Sequence, residues 1–100
     1  MTRVVAAAGD AQIDEQMEIK VQFKLEAANA RSVAVAGSFN NWNPKKTPLV
    51  KEANGWTATL SLPRGSYEYR FVVDGAWMSD PSARESVANG YGESNSVLSV

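Results

Sequence analysis

Hydrophobic and polar residues alternate one by one through much of this chain. Met17, Ile19, Val21, Phe23 and Leu25 interleave with Glu18, Lys20, Gln22, Lys24 and Glu26. Successive side chains of a strand point to opposite faces, so this run predicts a strand over 17–26 with one dry and one wet face. Residues 27–30 predict a turn, and 31–37 (RSVAVAG) a second strand. The stretch 38–48 (SFNNWNPKKTP) holds two prolines and three asparagines and predicts an irregular loop. Asn54-Gly55 lies between residues 49–53 and the alternating 55–62 (GWTATLSL), which predicts a hairpin with a type I′ turn. After the Pro63-Arg64-Gly65 turn, Tyr67, Tyr69, Phe71 and Val73 alternate with Glu68, Arg70 and Val72. Asp74-Gly75 then supplies a second two-residue turn into a short strand over 76–78. A polar loop to about residue 94 and a closing strand over 95–100 (NSVLSV) complete the pattern. About seven short strands, with a turn every ~8–12 residues and no competing helical period, predict an all-β, immunoglobulin-like antiparallel β-sandwich. Residues 1–16 carry no sustained period and read as an N-terminal extension or linker, which leaves 17–100 as the module.

The same parity separates the three tryptophans. Trp56 shares its face with Ala58, Leu60 and Leu62, which predicts a core position. The Asp74-Gly75 turn sets Val72 opposite Trp77, so Trp77 falls on the Glu68/Arg70 face, away from the Tyr69/Phe71 face. Trp42 stands in the irregular loop between Asn41 and Asn43. A tryptophan on a wet face needs a reason. Parity leaves two open: Trp42 plugs one end of the sandwich and Trp77 covers an edge, or both are exposed platforms beside amide and cationic donors. An indole face suits the apolar C–H face of a pyranose ring, and Asn or Arg suits its hydroxyls, so the second reading points to sugar.

Composition narrows the chemistry further. One hundred residues suffice for one domain with one core. Cysteine and histidine are both absent, which removes disulfides, thiolate nucleophiles, imidazole bases and the usual soft metal ligands. The net charge of −1, with no basic stripe, argues against a nucleic-acid partner. No run approaches the ~18–20 apolar residues of a membrane span. The apolar run from Val4 to Ala8 is too short for a signal-peptide core, and the expectation is a soluble, cytoplasmic protein.

Gly37-Ser38-Phe39-Asn40-Asn41-Trp42, the run Tyr67 to Trp77 (YEYRFVVDGAW), Asp80-Pro81 and the ending Asn95-Ser96-Val97 together resemble the family 48 carbohydrate-binding modules. These include the glycogen-binding module of the AMP-activated protein kinase β subunit and the N-terminal modules of isoamylases and glycogen branching enzymes. The resemblance runs from about Glu18 to Val100 and implies an early-set sandwich that binds α-glucans. By it, Trp42 and Trp77 stack on glucose rings, Arg70 stands where the kinase module has a sugar-binding lysine, and Asn95 matches a last-loop asparagine. Tyr91 and Glu93 fall where that module has a leucine and a threonine. The tyrosine offers more stacking area, and the glutamate changes one polar contact. The expected carbohydrate-binding set is therefore Trp42, Arg70, Trp77, Tyr91 and Asn95, with no catalytic residue, metal or cofactor.

These residues bear on three functions. The first is non-catalytic binding of an α-1,4-glucan such as glycogen, starch or a maltooligosaccharide. The second is a structural or protein-interaction module, attached to a glucan-active enzyme or kinase complex, with little sugar binding of its own. The third, an enzyme, is disfavoured: Asp74 and Asp80 belong to turns, Glu68 to a strand face, and no carboxyl pair is set across an apolar cleft by the pattern.

Overall fold

A strand that alternates in polarity is stable once its apolar row is buried against another sheet, and two such sheets close this core. The computed structural model describes residues 2–5 and 18–100. The described strands are β1 (Thr2–Val5), β2 (Glu18–Leu25), β3 (Val33–Gly37), β4 (Val50–Glu52), β5 (Gly55–Pro63), β6 (Ser66–Val73), β7 (Ala76–Met78), β8 (Glu85–Ala88) and β9 (Ser94–Ser99). They form two antiparallel sheets. One has the order β1-β2-β5-β4; the other has β3-β6-β9-β8, with β7 paired to the distal half of β6. Val21, Phe23 and Leu25 of β2 and Trp56 and Leu62 of β5 meet Val33 and Val35 of β3, Tyr69 and Phe71 of β6 and Leu98 of β9 in one core. The rings of Phe39, Phe23, Tyr69 and Phe71 run through it in tilted and edge-to-face contacts, with centroids 5.2–5.9 Å apart. Among the described residues, no helix is long and apolar enough to cross a membrane.

The all-β sandwich expected from the sequence is the fold, with local corrections. The described strands number nine rather than about seven. β1 lies inside the segment read as an extension and pairs with β2, Val4 opposite Val21; the rest of 1–17 lies outside the described residues. β8 lies in the stretch read as loop. All four of its residues are exposed, so an edge strand wet on both sides left no alternation to detect. The irregular loop contains a 3-10 turn, Pro44–Lys46, whose first turn is capped by the Asn43 side chain accepting from the Lys45 N–H at 3.0 Å.

The β4–β5 turn is not type I′. Glu52 pairs with Gly55, so Ala53 and Asn54 make the turn, and Asn54 does not take positive φ. Gly55 is needed for a different reason. Its φ is +135°, and a Cβ there would stand 2.9 Å from the Leu25 carbonyl oxygen, where β2 ends beside β5.

Candidate functional site

The segment 37–43 is built to hold Trp42 in place. Phe39 packs on Phe23 and Tyr67. Asn40 turns inward and is buried: its Oδ1 accepts from Gly37 N–H at 3.0 Å, and its Nδ2 donates to Val35 O at 3.1 Å and Thr47 Oγ1 at 3.0 Å. That one amide ties both ends of the loop to β3. Gly37 has no room for a side chain, since a Cβ would meet Glu68 O at 2.5 Å and the Phe39 ring at 2.6 Å. Asn41 and Trp42 are then both left-handed, each at φ 58°, and the Trp42 N–H donates to Gly37 O at 2.9 Å. A left-handed tryptophan is rare, and the closed turn behind it holds it there.

Trp77 is placed by the β6–β7 hairpin. Asp74 (φ 49°) and Gly75 (φ 85°) make the left-handed pair that a two-residue turn requires, and Val72 stands opposite Trp77 as the spacing predicts. Asp74 Oδ1 also accepts from the Arg31 and Ser32 N–H groups, both at 2.8 Å, which fastens this hairpin to the β2–β3 connection. These two bonds, Ser32 first and Arg31 second, hold the exposed Asp74 carboxyl below the usual aspartate range against a small opposing effect of burial. Trp77 is 41% exposed, whereas Trp56, 8% exposed, sits in the core and donates its indole N–H to Ala27 O at 3.2 Å.

All five residues singled out from the sequence, Trp42, Arg70, Trp77, Tyr91 and Asn95, line one open groove of about 410 Å³. Ser38, Glu68 and Asn89 complete its lining. The groove lies on the outer face of the second sheet, where Glu68 and Arg70 of β6, Trp77 of β7 and Asn95 of β9 share one side by register. Tyr91 stands 89% exposed in the β8–β9 loop, flanked by Gly90 and Gly92 at φ 84° and 83°. Its N–H donates to Asn89 Oδ1 at 2.9 Å, and the Asn89 N–H donates to Glu93 O at 3.0 Å, closing the loop at its base.

Two details differ from the wet face that parity suggests. Arg70 is buried, its side chain 10% exposed, because Glu93 and the Trp77 strand cover it: Nη1 donates to Glu93 Oε2 at 2.7 Å and Nη2 to Trp77 O at 3.3 Å. Asn95 Nδ2 donates to Glu68 Oε1 at 3.1 Å, so this amide is already tied to β6. Asn41 and Asn43, which flank Trp42 in sequence, do not line the groove. Glu68 shares the parity of Arg70 and was legible as a lining residue. Asn89 was not, because β8 went unread and the polar loop to about residue 94 has no alternation to place its side chains.

Two indoles, a phenol and two amides on the outer face of an antiparallel sandwich suit the rings and hydroxyls of a sugar, and the class is that of a carbohydrate-binding module. The family described as the glycogen recognition site of AMP-activated protein kinase matches residues 19–100, and the chain belongs to it. Over 52 residues it is 50% identical to the β-2 subunit of 5'-AMP-activated protein kinase from Homo sapiens, a match covering 52% of this chain and 19% of that protein. Over 70 residues it is 41% identical to the β-1 subunit from Sus scrofa, covering 70% of this chain and 55% of that one. The match to the β-1 subunit from Bos taurus is 43% identical and covers 25% of that protein. The chain thus spans from about a fifth to about half the length of these relatives. A maltogenic amylase from S. marinus shares the fold, with a TM-score of 0.75 at 19% identity, over 100% of this chain and 16% of that one.

Proposed function

We propose that this chain binds α-1,4-glucans of the glycogen, starch or maltooligosaccharide type in the Trp42–Trp77 groove and does no chemistry on them. The observation that carries this reading is the gathering of Trp42, Trp77, Tyr91, Asn89 and Asn95 around one open groove. The two indoles offer stacking surface to pyranose rings, Tyr91 a third aromatic face, and Asn89, Asn95 and Glu68 the polar groups for hydroxyls. An indole that covers ~50–60 Å² of apolar area gives about 1.5 kcal/mol per ring. Two platforms with a few hydrogen bonds, less the cost of ordering a flexible glucan, place the affinity roughly between micromolar and millimolar. Polymeric glycogen binds more tightly by presenting many chain ends at once. The module as residues 17–100 and a cytoplasmic setting belong to the same reading.

Titration of tryptophan fluorescence with maltoheptaose, against a cellooligosaccharide of equal length, tests it. The expected result is a saturable change with the α-linked sugar alone; an equal response to both would remove the α-glucan assignment. The kinase subunits among the relatives favour one second reading, a module that contacts a regulatory or catalytic protein and binds little sugar. On that reading neither sugar changes the fluorescence, while pull-down still retains the protein partner.

A further inference from the structure

Arg70 is an unusual donor for a sugar site, because its guanidinium is buried and both terminal nitrogens already have a partner. Its side chain is 10% exposed. Nη1 is held by Glu93 and Nη2 by the Trp77 carbonyl, and Nε is buried with less than 1 Å² accessible and no partner among the described residues. Glu93, by contrast, is 55% exposed and belongs to the loop that carries Asn89 and Tyr91. That loop has glycines in the left-handed region on both sides of Tyr91, and Tyr91 is almost wholly in water. Gly-flanked backbone of this kind has many alternatives open to it, so something must select the observed one. One backbone bond, Asn89 N–H to Glu93 O, and one from Tyr91 N–H to the Asn89 side chain close the loop on itself. Among the described residues, the Glu93–Arg70 pair ties that loop by side chains to the rest of the groove.

We propose that Glu93 and Arg70 are a positioning pair. Glu93 holds the Arg70 guanidinium, which bridges loop 89–93 to the Trp77 strand, so that Tyr91 and Asn89 stand over the groove before a glucan arrives. The inference rests on the α-glucan reading of the groove and deepens it: Arg70 acts through the loop and the Trp77 backbone rather than as a free donor to sugar hydroxyls. A preorganised loop raises affinity because its ordering cost is met in folding and not on binding.

The test uses the 100-residue chain with Glu93→Ala, Glu93→Gln, Arg70→Met and the Arg70→Met/Glu93→Ala double variant. Amide hydrogen exchange is read without sugar, and maltoheptaose affinity and dissociation rate are read with it. Glu93 is exposed enough for its variants to fold, and melting curves check Arg70→Met. The pair predicts faster exchange concentrated at residues 89–93 in Glu93→Ala, with the chain still folded by its melting curve, and an affinity about two- to fivefold weaker, the range of a partly exposed ion pair. It also predicts partial rescue by Glu93→Gln and no further loss when Glu93→Ala is added to Arg70→Met. If Arg70 donates directly to sugar, Glu93→Ala frees the guanidinium and leaves affinity equal or tighter, which overturns the proposal. If the wild-type chain binds no glucan, the function proposed above fails, and the exchange data decide the pair alone: unaltered exchange at 89–93 overturns it.

Discussion

Trp56 fills the core at the start of β5, so Trp56→Ala leaves a cavity and removes one of two donors to the Ala27 carbonyl, which keeps the Ala30 N–H. The expected loss is about 3–5 kcal/mol in urea unfolding. Trp77 is exposed on a hairpin whose backbone is fixed by other groups, so Trp77→Ala weakens maltoheptaose binding about tenfold, near 1.4 kcal/mol, with little change in melting midpoint. If Trp77→Ala instead unfolds the chain and leaves affinity per folded molecule unchanged, Trp77 is packing only. These two positions, one in the core and one exposed, were legible in the sequence, because strand parity separates them. Asn40 was not. Asn40, Asn41 and Asn43 look alike in one dimension, and which of them turns inward depends on the left-handed reversal at Asn41 and Trp42. Asn40→Ala strands Gly37 N–H and frees Thr47 Oγ1 in a buried setting, at about 2–3 kcal/mol. Circular-dichroism melts measure that loss, and sugar binding falls with it because Trp42 loses its support.

Among the elements, the β6–β7 hairpin has a built-in dependence on pH. Asp74 is held below its ordinary range by the Ser32 and Arg31 N–H groups, so its ionised form is favoured by the fold. A carboxyl of this kind contributes stability that is present above its unfolded value, about 4, and is lost as pH falls through the lower folded value. Wild type and Asp74→Asn should therefore differ in urea midpoint at pH 6 and converge as pH drops below about 4. A gap that persists unchanged at the acid end would assign the difference to geometry instead of charge. The hairpin itself was readable from Asp-Gly between alternating residues, and so were β2, β5, β6 and β9. The elements that escaped are those lacking a buried row or a turn signature of their own. β8 is exposed along its whole length, β1 spans four residues in a stretch without sustained alternation, and the Ala53-Asn54 turn was masked by a glycine that serves the contact with Leu25.

At the scale of the whole molecule, the groove belongs to one sheet, and the other contributes the opposing half of the core. Period-two alternation announces that two apolar faces will meet, but it does not say that β2 lies beside β5 or β3 beside β6, because strand order is decided by packing between distant segments. The chain has no histidine and a net charge of −1, and the proposed ligand is neutral. Maltoheptaose affinity should therefore change less than about twofold between pH 6 and 8, and little with added salt. Calorimetric titration over that range checks it, and a steep salt dependence would point to a charged partner. The turn behind Trp42 has a consequence for descent. Asn40 and Gly37 hold the loop, so on the proposed reading the codon for the ring that meets sugar is separate from the codons that close the turn. A lineage could then loosen its hold on glucan by one substitution at Trp42, keep the turn, and regain the habit by the reverse step.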